Sequence, residues 1–168
     1  MDIKKDMHIH SCFSDGDLRP ETIVDRWESA GHKLIAITDH DGIEGSIIAC
    51  KYAETKSINV IPGIEFDSED DLGKDLHILG YHIDFDNPRL QSALFELKRW
   101  RAQRNDEMLE ILSDLGYEIS INDLIAVNDG NYIGKPTFAR VLIDKGYVKD
   151  LNEAFNEVFD KEPRLNSV

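Results

Sequence analysis

Cysteine is nearly absent. Two in 168 residues, Cys12 and Cys50, cannot form a disulfide framework. Their scarcity argues against a structural zinc site built on thiolates and points to a reducing compartment. No apolar run approaches the ~20 residues that span a bilayer, so no membrane is expected as a partner. The opening Met1-Asp2-Ile3-Lys4-Lys5-Asp6 has no apolar core and does not read as a signal peptide. Basic residues are outnumbered, 19 Lys and Arg against 33 Asp and Glu, for a net charge of −14 with histidine neutral. Broad binding to long duplex nucleic acid runs on a surplus of Lys and Arg, so that class is excluded. A hydrophobic share of 41% supplies a real core, and the length fits one domain with a small appended module. The composition predicts a soluble, acidic, cytoplasmic protein whose carboxylates are numerous enough to gather around metal ions.

The first 85 residues alternate strand and helix signals. Met7-His8-Ile9-His10 reads as a short strand followed by a polar loop, Ser11 to Asp17. Pro20 sits where a first helical turn tolerates proline; Ile23, Val24, Trp27 and Ala30 form an apolar stripe, and Gly31 is a stop. Leu34 to Thr38 is a second strand, broken by Asp39-His40-Asp41-Gly42, with a helix expected over 43–56. Ile58 to Glu65 is a third strand, Asp67 to Asp75 an acidic loop, and Leu76 to Tyr81 a fourth strand. This alternation implies an α/β fold with parallel pairing and function at the strands' C-terminal ends, where His10, His40 and Glu65 fall. After Pro88 the texture becomes helical. A long helix is expected over 89–115, a short one after Ser120, one from Pro136 to Lys145, and one from Leu151 to Phe159. Residues 1–87 and 88–168 therefore read as an α/β part and a helical module.

The chemistry concentrates in His8-x-His10, Asp15, Asp39-His40, Glu65 and His77. Histidines at i and i+2 of a strand project from one face, as two ligands of one metal or of neighbouring metals do. Imidazole with carboxylate suits Zn, Mn or Fe. A carboxylate such as Glu65 can bridge two cations, and bridged cations polarise phosphate and activate water. Each piece alone has a plainer reading. A lone His-x-His is commonly incidental, Asp39-His40-Asp41-Gly42 is a good turn, and Glu65 fits a solvated strand end. Their clustering favours the metal site. His32 reads as a surface loop residue, and His82, five positions after His77, as pointing to the opposite face.

The segments HIHSCFSDG (8–16), ITDHDGIEG (37–45), PGIEF (62–66) and LHILGYHID (76–84) closely resemble the PHP superfamily, named for polymerase and histidinol phosphatase. RAQRNDEML (101–109), IGKPTFARVLIDKGYV (133–148) and EAFNEVF (153–159) resemble the insertion of its 3′,5′-nucleoside bisphosphate phosphatase and RNase AM branch. The resemblance implies the N-terminal part of a distorted seven-stranded (β/α) barrel with a helical insertion. It implies up to three Mn, Fe or Zn ions and hydrolysis of phosphate esters. The substrates would be small nucleotides or short RNA 5′ ends. By position, His8 and His10 would be ligands, Asp15 and His40 would share another metal, Glu65 would bridge, and His77 would bind the second metal of that pair. Asp39 would orient its neighbours, and Arg101, Arg104 and Lys135 would contact substrate phosphate. Arg101 and Arg104, three apart, share a helix face, and the plainer reading is a solvated edge. Related sequences carry Arg, then Pro and a His-bearing helix, where this chain has Lys135 and Thr137. Lysine pairs with phosphate as a point charge, without the planar fork of arginine.

Family members return to the barrel after the insertion with strands bearing another His ligand and a final Asp-x-His pair, whereas no histidine follows His82 in this chain. The expectation is an incomplete barrel that self-associates through an open sheet edge. Two other functions stay open: a histidinol-phosphate-type phosphatase, disfavoured by the helical insertion, and a metal-binding module without turnover.

Overall fold

The computed structural model describes residues 3–69, 75–128 and 132–166. The chain divides into two compact units, Met1–Leu97 and Lys98–Val168, with the division falling inside a long helix.

The first unit is built on four strands: β1 (Lys5–Ile9), β2 (Leu34–Ile37), β3 (Asn59–Glu69) and β4 (Asp75–Tyr81), in the order β1-β2-β3-β4. Helices α1 (Pro20–Ser29) and α2 (Glu44–Ala53) are the crossovers. α1 starts with Pro20 in its first turn, where a missing N–H costs nothing, and Gly31 follows it at φ 85°. Its apolar stripe, Ile23 and Val24, packs with Ala49 and Ala53 of α2 onto Ile9, Ile35 and Ile37 of the sheet. The Trp27 indole donates to Asp6 Oδ2 at 2.9 Å and ties α1 to β1. A smaller cluster joins Ile43, Ile64 and Leu94.

The expected parallel pairing holds for β1–β2 and β2–β3, while β4 corrects it. β3 does not end at Glu65. It runs on to Glu69 and pairs antiparallel with β4, Glu65 opposite Leu79 and Asp67 opposite His77. A short connection cannot return a chain for parallel pairing, so two strands this close in sequence form a hairpin instead. Of the expected acidic loop, 67–69 and Asp75 are strand, and 70–74 lie outside the described residues. β1 carries a bulge between Asp6 and Ile9, beside the His-x-His segment. Bulges of this kind re-aim side chains next to functional sites.

The long helix α3 (Pro88–Asp114) enters the second unit, which continues with α4 (Ile121–Asn128), α5 (Lys135–Asp144), α6 (Leu151–Glu153) and α7 (Pro163–Asn166). Ser120 and Asp123 cap α4 reciprocally, with Ser120 N–H donating to Asp123 Oδ2 at 2.8 Å. Asp150 Oδ1 accepts from the Glu153 N–H at 2.9 Å, as its capping role requires. The helix expected over 151–159 winds as α only to Glu153. Ala154–Phe159 is π-wound, and Ala154, Val158 and Phe159 are buried in it. α7 was not foreseen from sequence. The core is apolar throughout: Met108, Leu112, Leu124, Phe138, Leu142 and Leu165 are fully buried. No described helix is long and apolar enough to cross a membrane.

Candidate metal centre

The C-terminal ends of the three parallel strands deliver the site. β1 presents His8 and His10, the turn after β2 presents Asp39 and His40, and β3 presents Glu65. The turn is clamped to β3: Glu65 N–H donates to Asp39 O at 3.1 Å and Asp41 N–H to Glu65 O at 2.8 Å. Asp41 takes up a left-handed φ of 45°, a conformation that aspartate tolerates better than most residues. Its Oδ1 accepts the Asp67 N–H at 3.1 Å. Glu65, Asp67 and His77 share one sheet face, by strand alternation and cross-strand pairing.

Glu65 is the hub and is 1% exposed. Its Oε2 lies 2.9 Å from His8 Nε2 and 3.1 Å from His10 Nε2, and those two nitrogens are 3.0 Å apart. Its Oε1 lies 2.9 Å from His77 Nδ1. His10 Nδ1 faces Asp15 Oδ1 at 3.2 Å and Ser14 Oγ at 3.3 Å. His40 Nε2 is 3.7 Å from Asp15 Oδ2, and its Nδ1 is 2.5 Å from Asp67 Oδ1. The His10 and His40 rings stack at 4.6 Å, and the His77 ring meets His40 edge-on at 5.2 Å.

These donors form three overlapping trios: His8, His10 and Glu65; His10, Asp15 and His40; His40, Asp67 and His77. All six expected ligands are thus brought together. Neighbouring ligand atoms on an ion with ~2.1 Å bonds stand about 3.0–3.4 Å apart. The triangle of 2.9, 3.0 and 3.1 Å fits that spacing, and it gathers two imidazole nitrogens and a carboxylate oxygen at one point. The donor set therefore suits divalent metal.

Asp39 is fully buried and does not join these trios. It accepts from Ser11 N–H, Ser11 Oγ and Ser14 Oγ, each at 2.7 Å. Burial pushes its carboxyl up, and the two serines oppose that. The N-terminus of α2 presses on this network. A Cβ on Gly45 would stand 2.1 Å from Asp39 Oδ2 and 2.5 Å from Ser11 Oγ, so the position admits no side chain.

Burial pulls His10 down, against Asp15. Burial also works to lower His40, but Asp15 and Asp67 outweigh it and hold the ring up to about 10. Asp15 is lowered in turn, chiefly by its hydrogen bond with His40. Protonation and cation binding at His40 Nε2 are mutually exclusive, so the site binds metal in competition with that proton. Burial raises the Cys12 thiol, which does not favour a thiolate nucleophile there.

Sequence reading missed Asp67, taken as the start of a loop. The signal was available: it stands at i+2 from Glu65, the same spacing that singled out His8 and His10. His82 lies beyond β4 at φ 54°, exposed and outside the three trios. His32 is half-buried rather than a plain surface residue, its Nδ1 3.2 Å from Trp27 O. Arg101, Arg104 and Lys135 belong to the second unit. There Arg101 lies over the Tyr132 ring at 4.4 Å, Arg104 Nη2 donates to Ile133 O at 3.3 Å, and Lys135 opens α5.

A family model described as the PHP domain matches residues 6–160. The chain belongs to the PHP family. Among curated proteins it is 32% identical over 152 residues to a 5′-3′ exoribonuclease of Haemophilus influenzae, covering 90% of this chain and 55% of that protein. It is also 32% identical over 154 residues to a 3′,5′-nucleoside bisphosphate phosphatase of Chromobacterium violaceum, covering 90% and 53%. A solved protein from Bifidobacterium adolescentis, assigned as a metal-dependent phosphoesterase, superposes with a TM-score of 0.84 at 29% identity, over 96% of this chain and 57% of that one. An amidohydrolase from Chromobacterium violaceum, solved with sulfate and without metal, gives 0.81 at 31% identity, over 90% and 54%. This PHP chain spans about half the length of the curated relatives it matches. The PHP relatives named above are those of the nucleotide branch that the motifs resemble, and the curled α/β sheet is the corresponding part of the PHP barrel.

Proposed function

We propose that the protein hydrolyses phosphate esters with the help of divalent metal, acting on small nucleotides such as 3′,5′-nucleoside bisphosphates or on short RNA 5′ ends. The observation that carries this reading is the triangle of His8 Nε2, His10 Nε2 and Glu65 Oε2, with sides of 2.9–3.1 Å. The ligands would be His8, His10, Asp15, His40, Glu65 and His77, and such a set accepts Mn, Fe or Zn. When bound, the metals supply Lewis acidity at the phosphoryl oxygens and lower the pKa of bound water.

The chain's own residues do the positioning. Glu65 addresses His8 and His10 with one oxygen and His77 with the other, the arrangement of a bridging carboxylate. Asp39 acts through its serines. Ser14 spends its hydroxyl proton on Asp39, so its oxygen is left to accept from His10 Nδ1–H. Asp15 faces the same nitrogen. Both place the His10 proton on Nδ1 and leave the Nε2 lone pair facing His8 and Glu65. Arg101, Arg104 and Lys135, gathered around segment 132–135 of the helical unit, are assigned to substrate phosphate. Arg104 is the leading contact, since a guanidinium can hold phosphate bidentately. Two free, partly buried cysteines support a reducing, cytoplasmic setting.

The test is metal analysis of the purified protein with hydrolysis assays in Mn²⁺. The panel holds a nucleoside 3′,5′-bisphosphate, a 5′-phosphorylated RNA oligonucleotide and histidinol phosphate. Release of phosphate or mononucleotide from the first two is expected. Turnover confined to histidinol phosphate would move the protein to that sibling class. Bound metal with no hydrolysis of any substrate would make it a binding module.

A further inference from the structure

Asp67 lies outside the six residues assigned as ligands, yet it makes the shortest described contact in the cluster, 2.5 Å from Oδ1 to His40 Nδ1. Such a separation is too short for two ligands of one ion, which need about 3.0 Å. It is a close hydrogen bond, and bonds to an ionised acceptor are the short ones. The other face of the ring behaves differently. His40 Nε2 and Asp15 Oδ2 stand 3.7 Å apart, room enough for an ion between them. Among the described residues Glu65 also approaches the ring, its Oε2 3.8 Å from Nδ1.

We propose that Asp67 is a positioning residue: it holds the proton of His40 on Nδ1 and so presents the Nε2 lone pair, beside Asp15, to a divalent cation. This rests on the metal reading above and extends it by one residue. A neutral imidazole has one N–H, and the hydrogen bond at one nitrogen decides what the other can do. The fold fixes Asp67 for this. It shares its strand face with Glu65 and sits opposite His77. Its own N–H is held by Asp41, one residue beyond His40, so ring and carboxylate are tied to a common turn.

The experiment uses the full chain, stripped of metal and titrated with Zn²⁺ by calorimetry. It is followed by ¹⁵N–¹H spectra of the imidazoles in the zinc-loaded protein. The native protein is expected to keep the His40 proton on Nδ1, slowly exchanging, with Nε2 shifted by ligation. Asp67→Ala should bind the same number of ions 10–100-fold more weakly and lose the slow proton. Asp67→Asn, whose amide oxygen still accepts, should fall between. Three results would overturn the role. Unchanged zinc affinity in a folded Asp67→Ala protein is one. Ligation of His40 through Nδ1 is another. The third is loss of one whole zinc equivalent in Asp67→Ala, which would make Asp67 a ligand together with His40 and His77. A native protein that takes up no zinc defeats the metal reading itself, and that outcome is separate from all three.

Discussion

The two units bury different things. Among the described residues, the first unit buries Ser11, Ser14, Thr38, Asp39, Asp41, Ser46 and Glu65, whereas the second buries Asn105 and Thr137. Both units have apolar clusters, but the second unit's twelve-residue core, centred on Phe138, Leu142 and Leu112, carries few buried polar groups beside it. Burying a carboxylate costs several kcal/mol unless partners meet it. Asp39 is met by three short hydrogen bonds within the fold. Glu65 is met by three histidines, which are also candidate ligands of a cation. Part of the first unit's interior is thus committed to arranging charge, and that part depends on what arrives. The second unit's stability is internal.

The largest effect should come from hollowing the apolar core. Phe138 is fully buried, and Phe138→Ala should cost about 3–5 kcal/mol of unfolding free energy, read by urea denaturation. A cost below ~1 kcal/mol would mean that the second unit does not rest on that core.

The matching change in the first unit is Glu65→Gln, which keeps the volume and removes the charge. Zinc affinity should fall by more than the ~10–100-fold typical of groups that merely support a ligand. In chelator the substitution should cost little in Tm, because a buried charge is removed along with its partners' attraction. The zinc-induced gain in unfolding free energy, about 2.7 kcal/mol at a hundred times Kd in the native protein, should shrink, and the rise in Tm with it. Full retention of zinc affinity would break the comparison at its centre. Gly45→Ala comes next. Its methyl would displace Asp39 or Ser11, for a cost of about 1–3 kcal/mol with a weaker zinc site. A neutral Gly45→Ala would show that the Asp39 network is not tightly held.

The same contrast explains what the sequence disclosed. The second unit follows local rules: Ser120 and Asp150 cap helices as read, and Gly116 and Gly146 follow theirs at φ 88° and 75°. What escaped there was the π-winding of Ala154–Phe159 and the short α7, neither of which has a periodicity of its own. In the first unit, strand alternation gave β1 with His8 and His10, and the apolar runs gave β2, β3 and β4 as strands. The β3–β4 hairpin was hidden because the polar stretch from Asp67 onward read as a loop, although in the fold β3 runs on into it and Asp67 shares the site face with Glu65. Asp67 was lost with it. A strand that carries ligands looks unlike a core strand, so the same chemistry that announces the site blurs the element that holds it.

The smallest expected effect tests the surface of the second unit. Asp123 sits 2.9 Å from Lys145 Nζ and accepts from Ser120, and its carboxyl is held down to about 2. A carboxyl lowered in the fold stabilises it at pH values above its unfolded pKa of ~3.9, and that contribution is lost as pH falls through the folded value. The stability gap between native protein and Asp123→Asn should therefore be constant from neutral pH to roughly pH 5, narrow below that, and close by about pH 2. Because the pair is exposed, the gap should be small and should shrink in high salt. A gap that widened on acidification, or that ignored salt, would mean that Asp123 acts by packing. The second unit would then share the first unit's dependence on buried charge, and the contrast between them would fail.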